Sequence, residues 1–303
     1  MKARVLQTTG SWYKLETETG DVLDGRLRGK LRLSDLDVTN PVAVGDLVSI
    51  EIEEDNTASI FEIEDRRNLI LRQSTRQGKH VKNQIIAANV DLAVAVQAAA
   101  KPVPKPGFID RFLVSCEAYG VEPAIVFNKM DLSKGKKEQK VNELTSIYLS
   151  LGYTVLHTSI QDPGSIEAFS GLIKDKLVVL VGHSGVGKSS LINAIDPELN
   201  LKIAEVSKSS EKGRHTTTFA QLHRLSNGAM LVDTPGIREF GLVNIEPGEL
   251  SLYFPEMKTE RENCRFYNCT HEHEPGCSVI QKVEEGMISS QRYESYLNIL
   301  YSL

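Results

Sequence analysis

The first 65 or so residues contain short stretches in which apolar and polar residues alternate, separated by turn residues. Alternation with a period of two predicts strands, and no apolar residues in this segment recur at the helical period. About five short strands in so small a segment favour a β-barrel. The strands are expected at Lys2–Thr8, Trp12–Glu16, Arg26–Leu33, Asp46–Glu53 and Ala58–Ile63.

From residue 90 the pattern changes to apolar strands that alternate with helices, which is typical of a parallel α/β sheet. The spacing of Ile109, Phe112, Leu113 and Cys116 predicts a helix that ends at Gly120, with Cys116 as a small core residue. The strands are expected at Asp91–Val96, Pro123–Phe127, Tyr153–His157, Leu177–Val181, Phe219–Leu225 and Ala229–Val232.

The apolar run Leu177–Val181 leads into the pattern G-x-x-x-x-G-K-S and then into a predicted helix. A glycine turn between a strand and a helix binds phosphate, because backbone N–H groups and the helix dipole both favour an anion. Lys188 is assigned to the catalytic set as the cation on the β- and γ-phosphates, and Ser189 is expected to bind Mg²⁺. The nucleotide-binding residues predicted here are Gly182, His183, Ser184, Gly185, Val186, Gly187, Lys188, Ser189 and Ser190.

Two further motifs follow predicted strands, where open α/β sheets place their ligands. The guanine-reading pattern Asn-Lys-x-Asp of GTP-binding proteins is formed by Asn128, Lys129, Met130 and Asp131. A carboxylate such as Asp131 accepts hydrogen bonds from the N1–H and 2-amino groups of guanine, which adenine does not offer. Thr158 and Ser159 end the next strand and are assigned to the same site.

The pattern Asp-x-x-Gly spans Asp233 and Gly236. Asp233 is expected to hold Mg²⁺ through water, and the Gly236 N–H can bond the γ-phosphate. Ordinary GTPases carry the phosphate loop before these motifs, whereas here Asn-Lys-x-Asp precedes it. The same sheet forms if the chain is circularly permuted. The chain after Asp233 then runs directly into the C-terminal segment, to which a nucleotide-driven change can be passed.

Residues 208–218 are polar and lack any period, as expected of a switch loop that becomes ordered around Mg²⁺ and the γ-phosphate. One of Thr216, Thr217 and Thr218 should supply the second hydroxyl ligand of Mg²⁺. Thr217 is assigned that role and is also assigned as a catalytic residue. Ile237 stands where Ras-like proteins have a glutamine that positions water, so slow intrinsic hydrolysis is expected. His215 is the best polar substitute, with a surface histidine as the alternative, and His183 is a weaker candidate.

Three of the four cysteines crowd into the last fifth of the chain. The spacing C-x4-C-x-H-x5-C predicts a tetrahedral zinc site made by Cys264, Cys269, His271 and Cys277. His273 is a rival ligand, and a disulfide would leave one of the three cysteines unpaired. The segment is too small for a core of its own, so bound zinc is expected to stabilise it.

Cations cluster in two places although the net charge is −5. Arg26, Arg28, Lys30 and Arg32 would share one face of a strand. That face has two interpretations, a solvated exterior or a phosphate-contacting strand of an RNA-binding barrel. Residues 66–82 carry six cations and no acid. They suit either a solvated linker or a flexible clamp on nucleic acid, and the adjoining cationic strand favours the clamp.

Composition limits the class of protein, the number of domains and the expected location. The chain has 303 residues, 41% of them hydrophobic and 25% charged, which is typical of a soluble protein of two or three domains. No apolar run approaches the roughly 20 residues of a membrane span. The N-terminus lacks the apolar region of a signal peptide, so a cytoplasmic location is expected.

The motifs NKMD, GHSGVGKSS, RHTTT, DTPG and C-x4-C-x-H-x5-C, in this order after a cationic barrel, resemble the RsgA family, also called YjeQ or YloQ. The resemblance covers essentially the whole chain. It implies an N-terminal OB-fold that contacts ribosomal RNA, a circularly permuted P-loop GTPase domain and a zinc-binding domain. These domains are expected at residues 1–68, 69–241 (with a basic linker at 69–88) and 242–303.

The resemblance also implies a function, a cytoplasmic GTPase that acts late in assembly of the small (30S) ribosomal subunit. The partner would be the subunit and its 16S rRNA, and the subunit would stimulate hydrolysis of GTP to GDP. The expected cofactors are Mg²⁺ and one structural zinc ion, and a monomer is expected. The family's hydrolysis histidine corresponds to His215. The alternative is a GTP-gated RNA-binding placeholder whose hydrolysis only triggers release. A DNA-binding zinc protein is not favoured, because the C-terminal segment lacks a basic recognition helix.

Overall fold

The computed structural model describes residues 1–29, 41–73, 83–199, 220–233, 242 and 245–303. The N-terminal part of this structure is a barrel. Strand β1 pairs with both β2 and β4, and β3 runs parallel to β5, which closes the order β1-β2-β3-β5-β4-β1 of an OB-like barrel. Alternate residues fill its core, among them Val5, Leu15 and Ile60. The strands are β1 (Lys2–Thr9), β2 (Trp12–Thr17), β3 (Val22–Leu27), β4 (Leu47–Ile52) and β5 (Ala58–Ile63).

The predicted cationic strand Arg26–Leu33 is wrong in its bounds. Strand β3 begins at Val22 and ends at Leu27, so that Arg26 lies on it and Arg28 follows it. Gly29, at φ 73°, has the left-handed conformation, which turns the chain out of the strand. Arg26 and Arg28 are both exposed, and Lys30 and Arg32 lie outside the described residues.

Two strands that sequence analysis missed follow the barrel, β6 (Leu69–Gln73) and β7 (Asn83–Ala88). They form an antiparallel ladder within the range assigned to a basic linker. The many cations in this range predicted a linker, but apolar residues such as Ile70 and Ile85 are buried in the ladder. Of the six cations in this run, only Arg66 and Arg67 have side chains within the described part of the chain.

The central sheet has the strand order β10-β9-β8-β11-β13-β12. Its neighbours are parallel except for β12, which is antiparallel to β13. Three other strands of this sheet, β8, β9 and β10, therefore precede the central strand β11 in the sequence. The strands are β8 (Leu92–Ala98), β9 (Pro123–Asn128), β10 (Thr154–Thr158), β11 (Leu177–Val181), β12 (Gln221–Arg224) and β13 (Met230–Asp233).

Helices cover both faces of this sheet. The helices are α1 (Pro106–Tyr119), α2 (Lys136–Ser150), α3 (Pro163–Ile173) and α4 (Lys188–Ile195). Ala93 and Ala95 of β8 face a core with α1 and α2, whereas Val94 and Val96 face a core with α3 and α4. Burial on both faces explains the continuous apolar runs of these strands. Cys116 of α1 is fully buried, which confirms its predicted core position.

The C-terminal part is helical, with a 3₁₀ helix (Pro247–Tyr253), α5 (Pro255–Glu260), α6 (Ser278–Glu284) and α7 (Ser290–Leu300). Its core continues onto Val114 of α1. The fully buried Arg292 of α7 joins the two parts, because its guanidinium contacts Asp110 of α1 and Glu256 of α5, each at 2.7 Å. Among the described residues, no helix has both the length and the apolar composition that crossing a bilayer requires.

A second joint fixes the barrel to the base of the sheet. The backbone N–H of Ala88 donates to Val44 O at 3.0 Å, and Asn89 Nδ2 donates to Gly45 O at 3.1 Å. On the barrel side of this joint, Arg66 donates to both carboxylate oxygens of Asp46, each at 2.7 Å. Arg67 contacts Asp91 at 2.6 Å. These two cations of the basic run therefore bind carboxylates of the protein itself. Gly45 lies in the same joint, at φ 87°, and a Cβ there would approach Ala88 O to 2.2 Å.

Replacing Gly45 with Ala is expected to loosen this joint. Gly20 provides a matched control, because its φ is 88° and a Cβ there meets nothing within 4 Å. Both variants bear the left-handed strain of about 1–2 kcal/mol, and Gly45→Ala adds overpacking of about 1–3 kcal/mol. Denaturant midpoints can be followed by the fluorescence of Trp12, the only tryptophan. Equal shifts in the two variants would contradict the close approach at Gly45.

Candidate nucleotide site and candidate metal centre

The sequence motifs meet at one edge of the central sheet. The parallel strands β9, β10, β11 and β13 all end at this edge. Asn128 and Thr158 lie side by side in register at the ends of β9 and β10. Asp233 ends β13, where its backbone is in register with Gln221 of β12. Three predicted residues, His215, Thr217 and Gly236, lie outside the described part of the chain.

The phosphate loop has glycines where its backbone requires them. Gly182, Gly185 and Gly187 have φ values of 152°, 82° and 100°. A Cβ on Gly182 would lie 2.3 Å from Val96 O, and one on Gly187 would lie 2.3 Å from Asn128 Nδ2. The loop therefore depends on glycine both for its conformation and for its close approach to neighbouring strands. Helix α4 begins directly after it, which gives the arrangement of an anion-binding loop.

The base-reading motif is hydrogen-bonded to the phosphate loop. Asn128 is almost fully buried, and its Nδ2 donates to Val186 O at 2.9 Å while its Oδ1 accepts from Thr158 Oγ1 at 3.1 Å. Lys129 Nζ donates to Gly185 O at 2.6 Å. Both side chains hold the loop at a fixed place across the end of β8. Spacing in the sequence gives no sign of this positioning role.

Asp131 is held by the strand end next to it. Ser159 Oγ donates to Asp131 Oδ1 at 2.6 Å and accepts from the backbone N–H of Gln161. The carboxylate is only half-buried, so it retains acceptor capacity for a ligand. Met130, also half-buried, packs against the core beneath α1 and α2.

The cations and hydroxyls of the loop have distinct surroundings. Lys188 Nζ donates to Gly182 O at 2.6 Å and to His183 O at 3.3 Å, so it lies over the loop. Ser184 is exposed, whereas Ser189 and Ser190 are half-buried at the start of α4. The His183 ring packs on Phe108 of α1, with centroids 4.6 Å apart. This contact directs the imidazole towards α1.

Three cysteines and one histidine form a separate cluster in the C-terminal part. The ligand atoms of Cys264, Cys269, His271 and Cys277 all lie within 4.8 Å of one another. Cys264 Sγ lies 3.9 Å from Cys277 Sγ, and His271 Nδ1 lies 3.5 and 3.4 Å from these two sulfurs. Tetrahedral zinc requires about 3.8 Å between sulfurs and about 3.6 Å between sulfur and nitrogen. The donor set therefore fits zinc, and the sulfur separation excludes a disulfide between these two cysteines.

Burial gives the cluster the electrostatics of a metal site. It raises the pKa of Cys269 to about 12, so the thiolate needs a cation beside it. It lowers the pKa of His271, which favours the neutral imidazole that binds metal. The rival ligand His273 is exposed and does not belong to the cluster.

A carboxylate and two tyrosines hold the loop that carries these ligands. Burial opposes ionisation of Glu274, but donors from the Thr270 hydroxyl and from backbone N–H groups, including that of Glu272, keep its pKa below the usual range. Tyr293 and Tyr296 of α7 donate to the carbonyls of His271 and Thr270, each at 2.7 Å. These two tyrosines pack in the C-terminal core and also orient the ligand loop.

Comparisons with known proteins agree with this architecture. The family model for the RsgA N-terminal domain matches residues 2–60, and that for the RsgA GTPase matches residues 63–243. The chain belongs to the RsgA family. Among relatives, the small ribosomal subunit biogenesis GTPase RsgA 2 of Bacteroides thetaiotaomicron is 42% identical over 99% of this chain and 96% of its own. RsgA of Flavobacterium johnsoniae is 41% identical over 99% and 93%.

Solved structures of RsgA-type proteins extend the likeness to the fold. YjeQ from Thermotoga maritima has a TM-score of 0.80 at 35% identity and covers 100% of this chain and 98% of its own. The structure described as YloQ, a circularly permuted GTPase, has a TM-score of 0.76 at 31% identity, with 99% and 94% covered. This member of the RsgA family is therefore a GTP hydrolase with a permuted GTPase domain, an OB-like barrel and a Cys3His cluster compatible with zinc.

The cluster is expected to hold about one zinc ion per chain. Cys277→Ser should lower the zinc content to near zero, because three ligands no longer complete the tetrahedron. Cys116→Ala removes a buried cysteine outside the cluster, and His273→Ala removes the exposed rival. Both should retain the metal. Elemental analysis of the purified proteins measures the zinc content per chain. Zinc that is lost from His273→Ala but kept in Cys277→Ser would contradict the assignment.

Proposed function

We propose that this chain is a GTPase that binds the small ribosomal subunit and assists its late maturation. The full-length similarity to relatives named for small-subunit biogenesis supports the process. The observation that carries the nucleotide assignment is the hydrogen bond from Asn128 to the backbone of Val186. It joins a base-reading motif and a phosphate loop into one site.

Within this site Asp131 recognises guanine, and Ser159 fixes the orientation of its carboxylate. Asn128 and Lys129 hold the phosphate loop in reach of the same nucleotide. The loop residues 182–190 bind the phosphates, and Lys188 moves from the loop carbonyls to the β- and γ-phosphates. The hydroxyls proposed to bind Mg²⁺ are those of Ser189 and Thr217, with Asp233 acting through water and Gly236 bonding the γ-phosphate.

Hydrolysis in this proposal needs help from the partner. Ile237 cannot position water, so His215 takes that role when the subunit is bound. His183 is not proposed, because its ring packs on Phe108. Without the subunit, turnover is slow.

The barrel is the proposed contact with 16S rRNA. Arg26 and Arg28 are exposed on its surface, as phosphate contacts must be, although Arg28 also pairs with Glu51. Lys30 and Arg32 belong to the same proposal from sequence alone. Arg66 and Arg67 are not proposed as part of the nucleic-acid clamp at residues 66–82, because both bind carboxylates of the protein itself.

The remaining parts follow from this function. One structural zinc ion, held by the Cys3His cluster, stabilises the C-terminal domain at residues 242–303. The barrel and the GTPase domain are assigned to residues 1–68 and 69–241. The protein would act as a monomer in the cytoplasm, where the subunit is assembled.

GTP turnover with and without purified small subunits tests the proposal, with large subunits as the control. Stimulation of at least about 10-fold by the small subunit alone is expected, since a general base that positions water typically contributes about 10²–10⁴-fold. Tight GTP-dependent binding without stimulation would favour the placeholder. If the small subunit neither binds the protein nor stimulates turnover, the proposed partner is refuted.

A further inference from the structure

Strand β12 lies between the barrel and the strand that ends in Asp233. Gln221 of β12 is in register with Gln7 of β1 on one side and with Asp233 of β13 on the other. The backbone N–H of Thr8 donates to Ala220 O at 3.2 Å. The barrel is therefore hydrogen-bonded to the sheet one strand away from the Asp-x-x-Gly motif.

An ion pair makes a second contact at the other end of β12. Arg224 Nη2 lies 2.9 and 2.8 Å from the two carboxylate oxygens of Glu16 on barrel strand β2. The contacts with β1 all lie at the Ala220–Gln221 end of this four-residue strand. Two contacts, one at each end, fix its angle.

The pair contributes little to holding the barrel in place. The side chain of Arg224 is 54% exposed and that of Glu16 is 20% exposed, and ion pairs this open to solvent are weak stabilisers. The buried joint in which Asn89 and Ala88 donate to the carbonyls of Gly45 and Val44 already attaches the barrel to the base of the sheet. What the pair adds is the orientation of β12.

We propose that Glu16 and Arg224 are a positioning pair that couples engagement of the barrel by RNA to the strand ending in Asp233, and so to stimulated GTP hydrolysis. The inference rests on the function proposed above, because it needs a partner that grips the barrel. A partner that contacts barrel and GTPase domain together favours the orientation in which this pair is closed. Neither residue belongs to the nucleotide motifs, so unstimulated turnover does not depend on them.

Charge reversal tests the pair. Glu16→Arg and Arg224→Glu should each lower the turnover at saturating small subunits about 3- to 10-fold, with basal turnover and subunit affinity unchanged. The double variant restores the pair in reverse and should recover at least half of the stimulated rate. Glu16→Gln, which adds no cation beside the half-buried Arg4, should show a smaller loss.

A second ion pair supplies a matched control. Lys2 and Glu64 lie 2.9 Å apart with exposures of 57% and 27%, and both belong to the barrel side of the joint. Lys2→Glu and Glu64→Lys should leave the stimulated rate unchanged. Melting temperatures of all variants verify that each remains folded.

Stimulated rates equal to wild type in both single variants would overturn the proposal. So would a double variant no better than the single ones, or a loss that appears as weaker subunit binding at an unchanged maximal rate. An unrescued double variant, or weaker binding at an unchanged maximal rate, would mean that one of the two side chains contacts the subunit directly. If the subunit fails to stimulate the wild-type protein, the proposed stimulation of hydrolysis is refuted, and this inference falls with it.

Discussion

The hydrogen bond from Asn128 Nδ2 to Val186 O is the constraint on which the nucleotide edge depends. Strand β8 separates β9 from β11, so the amide must reach across the end of a strand to join the base-reading motif to the phosphate loop. Gly187 permits this approach, because any Cβ there would overlap the amide nitrogen. A buried amide that lost its partner would leave a polar group unsatisfied, so the contact is specific as well as stabilising.

Permutation of the chain leaves this edge intact and changes what is attached to it. The barrel reaches the edge through β12, next to the strand of Asp233. The C-terminal part rests on α1, where Arg292 contacts Asp110. The same helix touches the phosphate loop through Phe108. Both attached parts therefore contact elements at the nucleotide edge, as the proposed stimulation by a partner requires.

Local pattern in the sequence predicted most of the fold. The strand at Leu177–Val181 has its predicted bounds, because burial on both faces leaves an unbroken apolar run. Helix α3 was missed although Asp162 caps it and Pro163 opens it, both of which are signals for a helix start. The predicted end of β3 was wrong because Gly29, at positive φ, turns the chain out of the strand. The motifs predicted that Asn128, Thr158 and the phosphate loop lie at one edge of the sheet, whereas His215, Thr217 and Gly236 lie outside the described residues. The positioning role of Asn128 and the burial of Arg292 were not predictable, since their partners lie 58 and 182 residues away.

The most direct test of a guanine site at this edge is a calorimetric titration of wild-type protein and Asp131→Asn with GDP and with xanthosine diphosphate. An asparagine amide presents a donor where the carboxylate accepted from the 2-amino group, and xanthine carries an acceptor there. The account predicts that the variant binds GDP about 100-fold or more weakly and gains affinity for xanthosine diphosphate. Unchanged GDP binding by the variant would contradict it.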